Sequence, residues 1–189
     1  MATLPGFVIS LDTETGGTRP ASNYSLLEVG AVAATIDGSV MDELELAIQP
    51  EDGIYRVTER ALALNGIDLS GHAERAMPAT RAAQLLVAFA APYTQALLMG
   101  WNVNFDREYI ETHLLDVPTV GKLFGYRTFD LHAAMLMAAT AGRMPYTKSL
   151  QETARFFGLL GDDEQQEHRA LADAHLAVQV YNRMRDFIR

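Results

Sequence analysis

Residues 7–15 run Phe-Val-Ile-Ser-Leu-Asp-Thr-Glu-Thr, an apolar segment that leads directly into two carboxylates separated by one residue. A short apolar run with two glycines after it predicts a buried strand that ends in a turn. Alternate residues of a strand point to the same side, so Asp12 and Glu14 would project together from its carboxyl end. Carboxylates this close repel each other unless one protonates or a cation binds. A hard divalent ion suits such oxygen ligands, whereas the alternative is a surface turn with two acids and no ligand.

Two more predicted strands follow at residues 26–36, which are largely apolar, and at residues 43–48, which alternate acidic and apolar side chains. Their closeness in sequence, with turn residues between them, predicts an antiparallel meander with the first strand. Beyond residue 78, short strands alternate with helical patterns, so we predict an α/β fold with a mixed five-stranded sheet flanked by helices. The later strands are expected at residues 96–99 and 126–129, and the helices at residues 78–92, 104–115, 130–137, 154–157 and 170–187. Ser149-Leu-Gln-Glu152 matches a capping box before the fourth of these helical segments.

The chain has 189 residues, a length that fits one domain over residues 1–189. It holds no cysteine, which excludes disulfide scaffolds, thiolate metal sites and thiol nucleophiles and fits a reducing compartment. No basic and apolar leader opens the sequence. The most apolar stretch, residues 82–101, is interrupted by polar residues and proline and is unsuited to cross a membrane. We therefore expect a cytoplasmic protein with no membrane partner.

Acidic residues outnumber basic ones by 24 to 15, for a formal net charge of −9. This balance argues against a broad surface that follows a nucleic-acid backbone. Five basic residues nevertheless lie in a stretch with only Asp130 and Glu152 against them. The stretch is interpreted either as a solvated surface or as a local phosphate-binding rim beside an acidic centre. The five are Lys122, Arg127, Arg143, Lys148 and Arg155.

A second polar group follows the strand predicted at residues 96–99. There Asn102 and Asp106 stand at the start of a predicted helix. One interpretation is structural, because Asn102 could cap the helix and an acid in the first turns is favoured by the helix dipole. The other places a third carboxylate at the carboxyl end of a strand, where open α/β sheets build their sites.

A third group, His168 and Asp173, lies near the start of the last predicted helix. Five residues of helix turn through about 500°, which leaves the two side chains roughly 140° apart. Both can serve one site only if His168 lies in the polar loop before the helix, at residues 161–167, where we expect mobility. Such a histidine suits a general base, and the alternative is a surface histidine. His175 should point away from Asp173.

Together these positions supply four carboxylates and one histidine, without a Ser-His-Asp pattern. Four acids can converge on one point only around metal ions. Two magnesium-type ions about 3.5–4 Å apart are the usual device for in-line displacement at a phosphate. The residues therefore predict hydrolysis of a phosphodiester or a phosphomonoester.

The order and spacing of the five groups resemble the three exonuclease motifs of the DEDDh 3′–5′ exonucleases. That superfamily includes the proofreading epsilon subunit of bacterial replicative polymerases, ribonuclease T and oligoribonuclease. The resemblance covers residues 6–187, and Leu27-Glu-Val-Gly-Ala31 is similar to the family's second strand. The three motifs here are Asp12-x-Glu14, Asn102-x-x-x-Asp106 and His168-x-x-x-x-Asp173.

The resemblance implies an RNase H-like fold and removal of nucleotides from a 3′ end. It implies that Asp12, Glu14 and Asp173 hold two Mg²⁺ or Mn²⁺ ions, with Asp106 assisting partly through water. His168 would take the proton of a metal-bound water, and the hydroxide would attack the terminal phosphodiester and release a 5′-monophosphate.

The resemblance also implies substrate contacts. Leu64-Asn-Gly-Ile67 is similar to the family's His-Gly-Ile segment, which lies along the terminal nucleotide, with Asn65 in place of the histidine. Asn65, Gly66 and Ile67 are therefore expected to contact substrate, together with Thr15. The segment from Thr15 to Gly17 departs from the commoner Thr-Thr-Gly at Gly16, which leaves the carboxylates alone but bears on how the 3′ end is held.

Aromatic residues near the second motif add to the expected substrate contacts. Trp101 and Asn102 are taken as contacts, and Trp101 could stack on a base. Phe105 and Tyr109 have helical spacing, which favours the core for both.

Three functions follow from these residues. The first is a metal-dependent 3′–5′ exonuclease acting on single-stranded DNA or RNA ends. The second is a docking module of the same fold that binds a polymerase, although a polymerase partner is not indicated by the sequence. The third is a two-metal phosphomonoesterase. DNA and RNA are not distinguished, because reading the 2′-hydroxyl takes a specific contact, and a homodimer and a monomer both stay open.

Overall fold

A computed structural model describes residues 4–18, 23–161 and 168–188, in which six strands form one mixed sheet of order β4-β3-β2-β1-β5-β6. The first three strands make the predicted antiparallel meander, and β5 and β6 extend the sheet in parallel from β1. The strand count was predicted as five. The sixth, β4, has two residues beside β3 and is too short to produce a sequence pattern. The strands are β1 Phe7–Thr15, β2 Leu26–Thr35, β3 Val40–Gln49, β4 Met77–Pro78, β5 Leu97–Gly100 and β6 Thr128–Asp130.

Eight α-helices flank the sheet within the described residues. Five match predicted helices, but the fourth of these begins at Leu150 rather than at residue 154. Its start agrees with the capping-box pattern in the sequence, because Ser149 accepts a hydrogen bond from the backbone N–H of Glu152. The helices are α1 Glu59–Asn65, α2 Leu69–Arg75, α3 Ala79–Ala90, α4 Val103–His113, α5 Val117–Phe124, α6 Leu131–Thr140, α7 Leu150–Phe156 and α8 Ala170–Ile188.

Three helices, α1, α2 and α5, were not predicted. Each has only seven or eight residues, too few for a clear apolar period. Each is nevertheless capped by a side chain that accepts a backbone N–H of its first turn, so the start signals were present in the sequence. These caps are Thr58, Asp68 and Asp116.

The sheet has an apolar core on both faces, and the alternation of β1 divides its residues between them. Ile9 and Leu11 pack with α3, α4 and α5, whereas Val8 packs on the opposite face with α6, α7 and α8. Continuing the alternation, Asp12 and Glu14 lie on the side of α8. The same period that builds the core therefore directs both carboxylates toward one helix.

Gly30 of β2 lets the start of α8 approach the sheet closely. It pairs with Asp12 in the β1–β2 register. A Cβ at this position would lie 2.1 Å from the carbonyl carbon of Ala170, an atom of the helix backbone that no side-chain rotation can move. Gly30 therefore fixes how near α8 comes to the carboxylates of β1.

We expect Gly30→Ala to lower both stability and activity. The added methyl group would push the start of α8 away from the sheet, and overpacking of this kind costs about 1–3 kcal/mol. The melting temperature and the rate of the expected phosphodiester hydrolysis should both fall in this variant. The control is Gly6→Ala, where a Cβ meets nothing within 4 Å. Equal melting temperatures and rates for Gly30→Ala and the wild type would contradict this role.

Among the residues that the structure describes, no helix is both long and apolar enough to span a bilayer.

Candidate active site

Carboxylates from β1 and α8 meet a histidine at the carboxyl end of β1. Glu14, His168 and Asp173 each offer one ligand atom, and the three atoms lie within 4.8 Å of one another. His168 lies two residues before α8 begins, as the angular argument from the sequence requires. Asp173 is 4% exposed within the first turn of the helix. Residues 162–167 of the loop predicted to be mobile lie outside the described residues.

Asp106 joins this group from α4 on the other side of the strand. It is 4% exposed, and the Thr13 hydroxyl donates a hydrogen bond of 2.7 Å to its Oδ1. The structural interpretation of the second motif is wrong for Asn102, whose side chain makes no capping bond and whose backbone is left-handed at φ 60°. Asn102 is instead held in position through its backbone, because its N–H donates a hydrogen bond to Oδ1 of Asp130, 3.1 Å away. Helix capping by Asn102 therefore does not explain this pair.

Burial and mutual repulsion raise the pKa values of the carboxyl groups. Burial raises the pKa of Glu14 to about 8, with Asp173 as the strongest of the charges that add to it. Burial also raises the pKa of Asp106 to about 7, although the hydrogen bond from Thr13 opposes the change. The pKa of Asp12 lies well above its usual range because of burial and then the charge of Asp106. The group therefore holds protons near neutral pH unless a cation replaces them.

These shifts predict how stability varies with pH in the absence of metal. Carboxyl groups of an unfolded chain titrate near pH 4, whereas Glu14 titrates at about 8 in the folded chain. Between these values the folded state binds protons that the unfolded state has lost, so stability falls as pH rises from about 5 to about 8. We expect the melting temperature in EDTA to decline across this range and Mg²⁺ to oppose the decline. A melting temperature that rises with pH in EDTA would contradict the shifts.

Asp173 is held through both of its carboxylate oxygens. Nδ1 of His168 lies 3.3 Å from Oδ2, and the Gln151 side-chain amide donates to Oδ1 over 3.2 Å. Burial raises the pKa of Asp173, and His168 and then Gln151 partly offset that rise. Sequence reasoning did not single out Gln151. The available signal was the capping box at Ser149, which places the first turn of α7, but nothing in the sequence shows that this turn meets α8.

A cavity of about 340 Å³, here called the carboxylate cavity, contains these groups. Trp101, which was expected to contact substrate, lines this cavity and packs against the ring of His132 at a centroid distance of 5.2 Å. The cavity is lined by Asp12, Thr13, Glu14, Trp101, Lys148, Ser149, Leu150, Gln151, His168 and Asp173.

A second cavity of about 460 Å³, here called the strand-end cavity, adjoins the first because Thr13 and Glu14 line both. Thr15 and Asn65 also line it, and the Asn65 amide donates to the Thr15 carbonyl oxygen over 3.4 Å. Phe105 lines it as well. This second cavity therefore lies directly beside the carboxylates and carries two of the expected substrate contacts.

The other two residues that were expected to contact substrate after Asn65 do not line the strand-end cavity. Gly66 and Ile67 line a neighbouring cavity with Arg75 and Arg169, and Ile67 is 8% exposed in the core. Tyr109 is fully buried, as expected for a core residue.

Close packing explains why Gly16 stands where the family's first motif commonly has a threonine. A Cβ at Gly16 would lie 2.2 Å from the carbonyl oxygen of Arg56, which belongs to the segment before α1. The backbone N–H of Thr58 also donates to the Gly16 carbonyl oxygen, 2.8 Å away. A threonine at this position would not fit without moving that segment.

A buried ion pair supports the site from β2. Glu28 is fully buried and stands opposite Glu14 in the β1–β2 register, where its charge helps to raise the pKa of Glu14. It pairs with Arg75 and, over 3.4 Å, with Arg169, the residue directly after His168. The interaction anchors the segment that carries His168 to the sheet.

Comparison with known proteins shows which family and which solved structures this chain is similar to. The RNase T family model, described as exonuclease, matches residues 9–181. No curated protein is significantly similar to this chain in sequence. The exonuclease I of Methylocaldum szegediense is similar in structure, with a TM-score of 0.75, 18% identity, and coverage of 95% of this chain and 40% of that one.

Two structures of E. coli exonuclease I are similar in the same way. The complex with a 5cy-dT13 oligonucleotide has a TM-score of 0.75, 16% identity, and coverage of 97% of this chain and 41% of that one. The complex with a dA16 oligonucleotide has a TM-score of 0.76, 17% identity, and coverage of 96% and 41%. This chain thus spans about two-fifths of the length of these proteins.

The sheet flanked by helices is the RNase H-like fold that the resemblance implies. The family model covers most of the sequence, and the residues of all three motifs meet at one end of β1. This chain therefore belongs to the exonuclease family and is a member of the DEDDh exonuclease superfamily.

Proposed function

We propose that this chain is a metal-dependent 3′–5′ exonuclease that removes nucleoside 5′-monophosphates from the 3′ end of a single strand. The observation that carries the proposal is the convergence of Glu14, His168 and Asp173, with ligand atoms within 4.8 Å, beside the buried Asp106. No residue of this set is lost, which disfavours a module that only docks to a polymerase.

The donor set fits divalent cations. It consists of carboxylate oxygens, which Mg²⁺ and Mn²⁺ prefer, and burial raises the pKa values of Glu14 and Asp106, so a bound cation would favour their charged forms. Asp12, Glu14 and Asp173 would hold two such ions, with Asp106 assisting. When bound, the ions lower the pKa of a coordinated water and stabilise the charge that develops at the phosphate.

The side chains of the chain perform the remaining steps. His168 accepts the proton of the attacking water, and Asp173 orients its imidazole through Nδ1. The strand-end cavity takes the terminal nucleoside against Thr15 and Asn65, which places the scissile phosphate at Glu14, where the two cavities meet. Trp101 and Asn102 are proposed to contact the strand near the same point.

The first substrate to test is single-stranded DNA. The oligonucleotides in the E. coli exonuclease I complexes support this choice, and RNA is the second substrate. A 5′-labelled single strand of each type is incubated with Mg²⁺ or Mn²⁺, and we expect a ladder that shortens from the 3′ end and disappears in EDTA. The faster of the two substrates identifies the preferred nucleic acid.

Two controls separate the alternatives. A circular single strand has no 3′ end, so we expect it to stay intact. Cleavage of the circle would indicate an endonuclease, and hydrolysis of 4-nitrophenyl phosphate in place of the ladder would indicate a phosphomonoesterase. A folded protein with metal but no activity on any of these substrates would contradict the proposal and favour a docking role.

A further inference from the structure

Lys148 is the basic residue of the stretch from Lys122 to Arg155 that lines the carboxylate cavity. The other four do not line it within the described residues, so the predicted basic rim reduces to one side chain at this point. Lys148 is exposed, and it precedes α7, whose Gln151 holds Asp173. A single ammonium group therefore stands at the edge of a cavity that is otherwise dominated by carboxylates.

The backbone of Lys148 is fixed on both sides. Its N–H donates to Oε2 of Glu152 over 2.7 Å, and Ser149 completes the cap of α7. On the preceding side, the buried hydroxyls of Thr147 and Thr153 lie 2.6 Å apart. The side chain is thus presented from a rigid position, and replacing it leaves these main-chain and threonine contacts in place.

The ammonium group makes no ion pair or hydrogen bond with any residue that the structure describes, although the carboxylates of Asp12, Glu14 and Asp173 line the same cavity. Opposite charges attract strongly in such an environment, so a lysine that stands apart from them is available to an anion that arrives from outside. Divalent ions at the carboxylates would increase this availability, because they neutralise the carboxylates of this cavity that compete for the ammonium group.

The arrangement of the two cavities identifies that anion. If the terminal nucleoside occupies the strand-end cavity and the scissile phosphate lies at Glu14, the carboxylate cavity continues from that point and offers the rest of the strand a path away from it. Lys148 lines that path, together with Trp101. The first backbone phosphate on the 5′ side of the scissile bond would pass this point.

We propose that Lys148 binds the backbone phosphate that lies 5′ of the scissile phosphodiester and so holds the strand in the carboxylate cavity. This role rests on the proposed exonuclease function and adds a substrate contact to it. The interaction is between an ammonium group and a phosphate, independent of base identity, so it serves any single-stranded sequence.

The test compares two substrates in Lys148→Ala and in the wild type. On single-stranded DNA we expect KM to rise about tenfold, the usual cost of one charged hydrogen bond, while kcat stays within about twofold because chemistry occurs at the carboxylates. On the 4-nitrophenyl ester of thymidine 5′-monophosphate, which has one phosphodiester and no phosphate beyond it, we expect equal activity of the two proteins.

Salt dependence gives a second measurement. Each phosphate contact to a single strand contributes a slope of about −0.7 to a plot of log affinity against log salt concentration. Lys148→Ala should therefore reduce the slope of log(kcat/KM) for DNA by about this amount, and Lys148→Arg should keep it. Lys122→Ala is the matched control, because it removes an exposed lysine of α5 that does not line the cavity.

The outcomes are distinct. Equal loss on both substrates, or an unchanged KM on DNA in a folded Lys148→Ala protein, would overturn the proposed contact while leaving the exonuclease function intact. A wild-type protein with no activity on either substrate would overturn the proposed function itself, and the phosphate contact with it. A loss confined to DNA, with rescue by Lys148→Arg, supports the contact.

Discussion

Asp12→Asn is expected to reduce kcat on single-stranded DNA by at least about 10³-fold and at the same time to raise the melting temperature in EDTA near pH 8. Activity falls because the amide oxygen is a weaker and neutral ligand, and metal ions supply several kcal/mol of transition-state stabilisation. Stability rises because burial of Asp12, and then repulsion by Asp106, Asp173 and Glu14, disfavour its charged form and raise its pKa, whereas the amide is neutral. The two readouts are single-strand degradation with Mg²⁺ and thermal unfolding without metal.

The control for this prediction is Asp42→Asn on β3, which neutralises an exposed acid outside the site. This variant should leave kcat on single-stranded DNA and the melting temperature in EDTA nearly unchanged. An Asp12→Asn protein that keeps more than a tenth of the wild-type kcat would show that Asp12 is not a metal ligand in the reaction. A fall in the metal-free melting temperature at pH 8 would show that the cost of a buried, repelled charge does not dominate at this residue.

His168→Ala is expected to lower kcat by about 10²–10⁴-fold, the contribution of a positioned general base. Binding of Mg²⁺, measured by calorimetry, should persist because Asp12, Glu14 and Asp173 stay in place. The side chain of His168 is 36% exposed, so its removal leaves an opening that a small base can enter. We therefore expect imidazole added to the solution to restore part of the lost activity.

His175→Ala provides the matched control for the general base. This histidine lies on the same helix but pairs with Glu43 over 2.8 Å, away from the carboxylate cavity. Its loss should have little effect on kcat and should give no response to imidazole. If His168→Ala and His175→Ala have equal kcat values, His168 does not serve as the base.

The direction in which the two carboxylates of β1 project could be predicted from the sequence, because it depends only on the alternation of side chains along a strand. Alternation in a strand is fixed by backbone geometry, so Asp12 and Glu14 share a face wherever the strand lies. The same holds for His168 and Asp173, since the angle per residue of a helix requires one of them to precede it. Both predictions agree with the structure.

The supporting residues could not be predicted in this way because they act across elements. Gln151 reaches Asp173 only because α7 packs beside α8, and Glu28 meets Arg169 only because Gly30 lets α8 approach β2. The sequence places Glu28 inside an apolar strand but does not show its partners. Asn102 illustrates the opposite case, since its sequence position favours a cap that the left-handed backbone does not form.

The most direct measurement follows a single-stranded DNA oligonucleotide that carries one radioactive phosphorus, in its last internucleotide linkage, during the first turnover with Mg²⁺. A 3′–5′ exonuclease that attacks this linkage at Glu14, His168 and Asp173 should release the label entirely as a nucleoside 5′-monophosphate, and Asp12→Asn should release almost none in the same time. Release of the label as inorganic phosphate or in a longer fragment, or no release by the folded, metal-supplied protein, would contradict the proposed reaction.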